Sequence, residues 1–239
     1  MEQVLNQQLL TENLDALAIP YTKEQLSALE QYAALLVEWN QKMNLTAITS
    51  PDGIAVLHFA DSLTLMKSLN LSHGARVLDV GTGAGFPAIP LKIFCPQADL
   101  TMMDSLNKRL TFLSQVLNHL SLQGTLLHAR AEEAAHQPKM REQFDVVTAR
   151  ADAALPVLCE YCLPFVKVGG VFAAMKGPSC GEELDAAQSA IAKLGGKIEG
   201  MDEYTLSDGS RRFIALIRKV KPTEDKYPRH GSKIAKKPL

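Results

Sequence analysis

Apolar residues recur at helical spacing over the first seventy positions of the chain and at strand spacing after them. Thr22 and Gln25 form a capping box, so a helix is expected to begin there and run to Trp39. The apolar positions on one face of that helix are Leu26, Leu29, Ala33, Leu36 and Val37. A weaker helix is predicted over 2–18, and a third over 50–69 with Ser50 as its cap. The pattern therefore predicts a small helical subdomain over residues 1–70.

Short apolar runs then alternate with helical segments, which predicts an α/β domain over 71–220 whose parallel sheet is covered on both faces. Strands are expected at 76–80, 99–104, 125–129, 144–148 and 171–175, and helices at 107–120, 153–165 and 181–194. Two further strands, at 198–206 and 212–218, are separated by four turn residues. Because so short a connection cannot hold a crossover helix, this last pair is expected to be antiparallel.

A glycine-dense turn follows the first predicted strand. Gly81, Gly83 and Gly85 alternate there, and residues without a Cβ are needed where a backbone approaches a ligand closely or takes a positive φ. The second strand ends on Asp104, about 20 residues past the glycines, the distance at which a carboxylate can accept the hydroxyls of a ribose. The segment therefore predicts a cofactor that contains adenosine, bound at the carboxyl edge of the sheet.

Two such cofactors compete for the loop, a nicotinamide dinucleotide and S-adenosylmethionine. The dinucleotide pattern G-x-G-x-x-G fails when counted from Gly81, because Phe86 stands in the sixth position. Counted from Gly83 it passes only in a relaxed form that ends at Ala88, and it then includes Pro87, which lacks an N–H that a pyrophosphate needs. The loop favours S-adenosylmethionine and resembles motif I of Rossmann-like methyltransferases. An NAD-type oxidoreductase stays as the alternative.

Other blocks of the chain carry a more specific signal. They are Trp39-Asn40, Asn44-Leu45-Thr46-Ala47-Ile48, His58-Phe59-Ala60-Asp61-Ser62, Arg130-Ala131-Glu132-Glu133, Thr148-Ala149-Arg150-Ala151, Lys176-Gly177 and Lys226-Tyr227-Pro228-Arg229. In this order, and with the glycine loop, they resemble the RsmG (GidB) family of bacterial 16S rRNA methyltransferases over nearly the whole chain. The resemblance implies a class I methyltransferase fold, with a mostly parallel seven-stranded sheet and an antiparallel last strand. It also implies methyl transfer from S-adenosylmethionine to N7 of a guanosine in the decoding-region loop of 16S rRNA.

Spacing and resemblance together give the expected cofactor-binding residues. These are Gly81, Gly83, Gly85, Phe86, Asp104, Ser105, Leu106, Ala131, Glu132 and Arg150. Backbone N–H groups of the glycine loop are expected to meet the methionine carboxylate, and the resemblance places the adenine at Ala131 and Glu132. Arg150 has two open roles, since its planar fork suits either the cofactor carboxylate or a substrate phosphate.

No catalytic residue is assigned apart from the candidate Arg150. The segment 148–151 lacks the Asn/Asp-Pro-Pro-aromatic motif that enzymes methylating exocyclic amines carry at this place. Guanine N7 has an in-plane lone pair and no proton, so its methylation needs neither a general base nor a covalent nucleophile. Catalysis would then rest on the alignment of the reacting atoms.

Charge is distributed unevenly along the chain. The net charge is −1, yet residues 218–239 hold eight Lys/Arg against two acids, a net +6, whereas the rest carries −7. A basic C-terminal tail over 221–239 suits an arm that lies along phosphates, and an ordinary solvated terminus is the alternative. The candidate RNA-binding residues are Lys176, Arg211, Arg212, Lys226, Arg229, Lys233, Lys236 and Lys237. The expected partner is 16S rRNA or the small ribosomal subunit, and a non-catalytic ribosome-binding module on the same fold is a second alternative.

The remaining polar and sulfur groups add little chemistry. Four scattered cysteines fit a reducing cytoplasm rather than a disulfide framework, and Cys159 and Cys162 fall in a predicted helix, where core packing is expected rather than a metal site. No metal is expected. His58 and Asp61 lie three residues apart on a predicted helix. They are expected either to form a buried network or to help shape the entrance for RNA or cofactor. Without an export signal or a membrane-length apolar run, we expect an unexported protein without a membrane partner. Nothing in the sequence suggests an extensive dimer surface, so a monomer is expected.

Overall fold

The N-terminal helices form where the capping residues predict them. The computed structural model describes residues 3–71 and 73–239, so residue 2, where the first predicted helix begins, lies outside the described residues. Residues 3–6 are not helical, so the prediction over 2–18 was wrong at its N-terminal end. Helix α1 spans Gln7–Ala16 and α2 spans Lys23–Met43. The predicted capping box is confirmed, because the Thr22 hydroxyl accepts from the Gln25 N–H while the Gln25 side chain accepts from the Thr22 N–H.

The third predicted helix is interrupted. Ser50 caps it as expected, but the segment consists of α3 (Pro51–Gly53), a π-helical stretch (Ile54–Ala60), α4 (Asp61–Leu63) and α5 (Leu65–Ser68). The helical backbone predicted over 50–69 is therefore confirmed, but it is not a regular α-helix throughout. Nearly every side chain of the π-helical stretch is buried, so tertiary contacts override the local preference for α-helix.

Seven strands form one sheet in the order β3-β2-β1-β4-β5-β7-β6. The strands are β1 (Arg76–Val80), β2 (Asp99–Asp104), β3 (Thr125–His128), β4 (Phe144–Arg150), β5 (Val166–Lys176), β6 (Gly196–Thr205) and β7 (Arg211–Lys219). β1 to β5 pair in parallel, and β7 lies antiparallel between β5 and β6. This confirms the mostly parallel sheet with an antiparallel last strand.

Helices cover both faces of the sheet. They are α6 (Ala88–Phe94), α7 (Asn107–His119), α8 (Ala131–Ala134), α9 (Leu155–Cys162) and α10 (Cys180–Lys193). The C-terminal helix α11 (Gly231–Lys236) packs on α9 instead. A 3₁₀ turn over Leu163–Phe165 ends the helix predicted over 153–165. β5 is five residues longer at its N-terminal end than the predicted strand 171–175, because Gly169 and Gly170 interrupt its apolar pattern without interrupting the strand.

Strand side chains alternate between two hydrophobic clusters. One cluster takes Val77 and Met102 together with α2, α6 and α7, and includes residues of α1 and the π-helical stretch. The other takes Leu78 and Phe172 together with α9 and α10, and includes the buried cysteines Cys159 and Cys162. The core placement predicted for these two cysteines is confirmed.

The parallel arrangement brings the carboxyl ends of β1 to β5 to one edge of the sheet. The glycine loop follows β1 at this edge, and α8 begins shortly after β3. Among the described residues, no helix is both long and apolar enough to cross a membrane. The chain from Lys221 onward folds back onto the outside of α8 and α9, where Tyr227 and Ile234 are buried.

Candidate active site

The glycine loop is open toward solvent at two of its three glycines. Gly81, Gly83 and Gly85 have φ values of +71°, +61° and +98°, the region that favours glycine. A Cβ added at Gly81 meets nothing within 4 Å, and one at Gly83 meets only the Gly81 carbonyl oxygen at 3.9 Å. A Cβ at Gly85 would collide with Ile89 and Leu113 at 2.7 Å. Gly85 is therefore required by packing, while the other two leave space for a ligand.

Asp104 fixes the loop to the end of β2. Its Oδ2 accepts from the Gly83 N–H at 2.9 Å and from Arg109 at 3.2 Å, and its Oδ1 accepts from the Leu106 N–H at 2.9 Å. Ser105 and Leu106 follow on the exposed side of this edge. The structure thus brings these three predicted residues beside the glycine loop, and their role in cofactor binding stays a prediction.

Asp79 is a functional candidate that the sequence reasoning missed. Its side chain is fully buried in β1, two residues before Gly81, and neither carboxylate oxygen has a hydrogen-bond partner among the described residues. The Thr82 hydroxyl, in the loop itself, is likewise unpartnered. Burial raises the pKa of Asp79 to about 7, and the neighbouring Thr82 hydroxyl, followed by the charge of Arg150, acts against this rise. An acid in an otherwise apolar strand was the available signal.

Arg150 lies at the end of β4 with its guanidinium held on several sides. It donates to the Leu57 carbonyl at 3.0 Å, to Asp61 Oδ2 at 3.1 Å and to His58 Nδ1 at 3.2 Å. Its Cζ is 5.0 Å from the centroid of the Phe86 ring. The π-helical stretch supplies both the Leu57 carbonyl and the His58 ring, so the irregular backbone fixes the direction of this charge.

His58 is neutral in this arrangement. Its ring stacks on Phe86 with centroids 4.2 Å apart, and its Nε2 lies 2.9 Å from the Thr46 hydroxyl. Because Nδ1 accepts from Arg150, Nε2 carries the proton and donates to Thr46. Burial, and then the charge of Arg150, lower the pKa of His58 to about 3. His58 and Asp61 thus form the predicted buried network and line a cleft, while their role at an RNA or cofactor entrance stays a prediction.

Aromatic packing connects the N-terminal helices to the loop. Tyr32 of α2 is fully buried, donates its hydroxyl proton to the Ala84 carbonyl, and packs against Phe86 and Phe59. Burial raises the pKa of the Tyr32 phenol well above its usual range, so the hydroxyl keeps its proton and acts as a donor. Tyr32 was also missed, because its spacing on α2 is simply that of a core residue.

The cleft beside Arg150 has a volume of about 490 Å³. Lys176 and Arg212 line it, as do Asp61 and Glu183. The Lys176 ammonium is almost fully buried and lies 2.8 Å from Glu183, while Arg212 Nε lies 3.4 Å from Asp61 Oδ1. The structure therefore brings two of the predicted RNA-binding cations together with Arg150, each already facing a carboxylate.

The other predicted RNA-binding residues lie elsewhere on the surface. Arg211 pairs with Glu203 and Lys226 with Glu224, both in exposed positions. Arg229 contacts a buried carboxylate, described below, and the exposed cations of α11 and its end are Lys233, Lys236 and Lys237. Their contact with RNA stays a prediction.

Ala131 and Glu132 open α8, next to the edge that holds Asp104. The N–H groups of a first helical turn have no acceptor within the helix, so both amides are able to donate to a ligand. The Glu132 carboxylate is turned away from solvent and accepts from Arg130 Nε at 2.9 Å. No group of three or more His, Cys, Asp or Glu side chains in residues 3–71 and 73–239 is arranged to hold a metal ion.

Comparison with known proteins agrees with this geometry. The family model described as GidB, rRNA small subunit methyltransferase G, matches residues 25–211. Proteins named ribosomal RNA small subunit methyltransferase G from Alkaliphilus metalliredigens and Halalkalibacterium halodurans are 46% and 47% identical, covering 97% and 95% of this chain and 98% and 97% of their own.

A solved structure of the ribosomal protein L11 methylase from Lactobacillus delbrueckii superposes with a TM-score of 0.52 at 15% identity, covering 68% of this chain and 78% of that one. At this identity the likeness concerns the fold alone, and it agrees with the Rossmann-like methyltransferase architecture. The family match spans most of the chain, and the curated relatives cover nearly all of it. The chain therefore belongs to the GidB family of rRNA small subunit methyltransferase G proteins.

Proposed function

We propose that this protein transfers a methyl group from S-adenosylmethionine to N7 of a guanosine in the decoding-region loop of 16S rRNA. The observation that carries the cofactor assignment is the unpartnered carboxylate of Asp79 beside the open glycine loop. A buried acid without a partner is costly, and a cationic ligand group that reaches it removes that cost. The methionine end of S-adenosylmethionine carries such a cation, its ammonium group.

The same acid argues against the NAD-type alternative. A nicotinamide dinucleotide would bring the two negative charges of a pyrophosphate to the glycine loop, two residues from Asp79. That approach would be repulsive once Asp79 is ionised, whereas the methionine end of S-adenosylmethionine brings an ammonium together with its carboxylate and so adds no net negative charge. Membership of a methyltransferase family supports the same choice.

The other predicted contacts fit an adenosine along the sheet edge. Asp104 accepts three hydrogen bonds from the protein, and a carboxylate has about four lone-pair sites, so it keeps capacity for a ribose hydroxyl. The free amides of Ala131 and Glu132 would meet the edge of the adenine. Gly81 and Gly83 provide room for the methionine carboxylate. Most amides of the loop already donate to protein oxygens, and among the described residues only the Ala84 N–H has no acceptor, so it is the loop donor that the carboxylate would meet.

When bound, the cofactor supplies an electrophilic methyl group on a sulfonium. The protein's part is alignment, because guanine N7 attacks with its own lone pair and has no proton to lose. Arg150 is held by Leu57, His58 and Asp61, so its charge is pre-oriented in the cleft, next to the ring of Phe86 that follows the loop. A guanidinium in this place suits a phosphate of the target nucleotide or the cofactor carboxylate. The cleft volume of about 490 Å³ lies within the usual range for small-ligand sites.

The proposed partner is 16S rRNA or the small ribosomal subunit, and the proposed setting is the cytoplasm, with the protein acting as a monomer. Exposed cations on α11 and near the cleft would contact the RNA backbone, so binding should weaken steeply with salt. The non-catalytic alternative keeps the RNA contacts and predicts no methyl transfer.

Two measurements test this function. Calorimetric titration with S-adenosylmethionine and with NAD separates the cofactors, and a preference for NAD would overturn the proposal. Mass spectrometry of rRNA nucleosides from cells with and without this protein tests the target. We expect the loss of one 7-methylguanosine from 16S rRNA. If all modified nucleosides remained, while the purified protein bound S-adenosylmethionine, the non-catalytic alternative would be favoured.

A further inference from the structure

The C-terminal segment after β7 is anchored to the body by buried polar contacts. Arg141, in the loop between α8 and β4, donates to the carbonyls of Thr223, Glu224 and Tyr227 at 2.8 to 3.1 Å. The same guanidinium donates to the carbonyl of Ala135 at the end of α8, at 3.2 Å. One side chain therefore ties the returning segment to the helix that begins at Ala131.

A second anchor lies a few residues further on. Glu160 of α9 is fully buried, and its carboxylate accepts from the backbone N–H of Arg229 at 2.8 Å and from both Nε and Nη2 of the same residue at 2.8 and 2.6 Å. Charge-assisted forked contacts of this kind are strong and directional. His136, just beyond α8, contacts the Pro228 carbonyl through Nε2 at 2.9 Å. The backbone at 228–229 is thus fixed in place.

Two residues after this anchor, Gly231 packs directly against Glu132. A Cβ on Gly231 would overlap Glu132 Oε1 and lie 3.1 Å from Cδ. The same Oε1 accepts from Arg130 Nε at 2.9 Å. Because Arg229 prevents the segment from retreating, the position of Gly231 limits where the Glu132 carboxylate can lie.

We propose that the C-terminal segment positions the Arg130–Glu132 turn for the cofactor, with Gly231 as the residue that acts on it through Glu132. This inference rests on the proposed function, which places the adenine at Ala131 and Glu132. The Glu132 side chain faces the segment and Arg130, so under the proposed function its backbone amide, rather than its carboxylate, would meet the adenine. Gly231 and Arg229 are positioning residues and touch no reacting atom.

The test is Gly231→Ala, measured by calorimetry with S-adenosylmethionine and by steady-state methyl transfer. Gly181→Ala is the matched control, since Gly181 also lies in the first turn of a helix and a Cβ there meets nothing within 4 Å. We expect the Kd and the KM for S-adenosylmethionine to rise about tenfold in G231A. The KM for RNA, and kcat at saturating cofactor, should match those of the control.

A second substitution tests the route through Glu132. Glu132→Asp shortens the side chain by one methylene and makes room for the added methyl, so G231A should weaken cofactor binding by less than about twofold in an E132D background. A cofactor Kd for G231A equal to that of G181A would overturn the inference, as would additive effects in the double variant. If the unaltered protein and G181A failed to bind S-adenosylmethionine, the proposed function itself would fail instead.

Discussion

Two buried aspartates at the same edge of the sheet have opposite surroundings. Asp61 faces Arg150 at 3.1 Å and Arg212 at 3.4 Å, so its charge is compensated within the protein. Asp79 has no hydrogen-bond partner among the described residues. Burial raises the pKa of both carboxyl groups, but cations oppose the rise more directly at Asp61. The charge of Asp61 is balanced by the folded protein itself, whereas we propose that the charge of Asp79 is balanced only when a ligand binds.

The different surroundings of the two aspartates distinguish an acid that stabilises the fold from one that is proposed to bind a ligand. Removing a charge that has ion-pair partners leaves those partners buried without an opposite charge, and this lowers the free energy of unfolding. Removing a buried charge that has no partner removes a desolvation cost, so the free energy of unfolding does not fall and only the affinity for the ligand of that charge is reduced. The same chemical change, aspartate to asparagine, should therefore have opposite consequences at the two positions.

The largest effect is expected for Asp61→Asn. Arg150 and Arg212 would then face a neutral amide, so the free energy of unfolding should fall by about 3 kcal/mol. Urea denaturation measures this change, and Asp185→Asn on the exposed face of α10 is the control, with an expected change of less than about 0.5 kcal/mol. A loss below about 1 kcal/mol at Asp61 would mean that its two ion pairs are no more than surface contacts.

Asp79→Asn should act on the ligand instead. A hydrogen bond to a charged group contributes about 1.5 to 3 kcal/mol, so the Kd for S-adenosylmethionine should rise by about ten- to a hundredfold. At pH 8 the ligand-free variant should be at least as stable as the unaltered protein, because a buried charge has been removed. Calorimetry and urea denaturation on the same preparations check both halves. A Kd equal to that of the unaltered protein, or a large fall in the free energy of unfolding, would mean that Asp79, like Asp61, supports the fold and not the ligand.

The dependence of stability on pH distinguishes the two sites further. The pKa of Asp79 is about 7 in the folded protein against 3.8 in the reference state, so its contribution to stability is present below pH 3.8 and is lost as the pH rises to 7. The pKa of His58, beside Asp61, is about 3 against 6.5, so its contribution is present above pH 6.5 and is lost as the pH falls to 3. Between pH 4 and 6.5 the two groups act in opposite directions.

D79N removes the contribution of Asp79 and leaves those of His58 and the other titrating groups in place. Its free energy of unfolding should therefore rise with pH between 4 and 6.5 more steeply than that of the unaltered protein, as measured by urea denaturation at several pH values. For the unaltered protein, affinity for S-adenosylmethionine should increase with pH up to about 7, because the ammonium favours the ionised carboxylate. D79N should lack this dependence. Parallel stability curves for the two proteins would show that Asp79 does not titrate in this range.

The two aspartates also show what a sequence can and cannot predict. Periodicity placed β1 and β2 at their observed bounds, and the glycine spacing placed the loop, because both depend on residues close together in the chain. Whether Asp61 or Asp79 finds a partner depends on Arg150, which is 89 residues from Asp61. The Arg229–Glu160 contact spans 69 residues and holds the basic C-terminal segment against α8 and α9, while its contact with RNA stays a prediction. Such pairings follow from tertiary structure, so charge patterns alone did not reveal them.

The smallest expected effect lies at the outer end of the compensated network. Thr46→Val keeps the shape of the side chain but removes the oxygen that accepts from His58 Nε2 and from the Ile48 N–H. The free energy of unfolding should fall by about 1 kcal/mol, since a partly buried donor loses its acceptor. Thr111→Val on α7 is the matched control, because its exposed hydroxyl bonds only within its own helix.

Affinity for S-adenosylmethionine should be unchanged in T46V, since Thr46 supports Arg150 only through His58 and does not contact Asp79. If T46V weakened cofactor binding as much as D79N does, the two acids would belong to one coupled site, and the division between a framework charge and a ligand charge would be wrong.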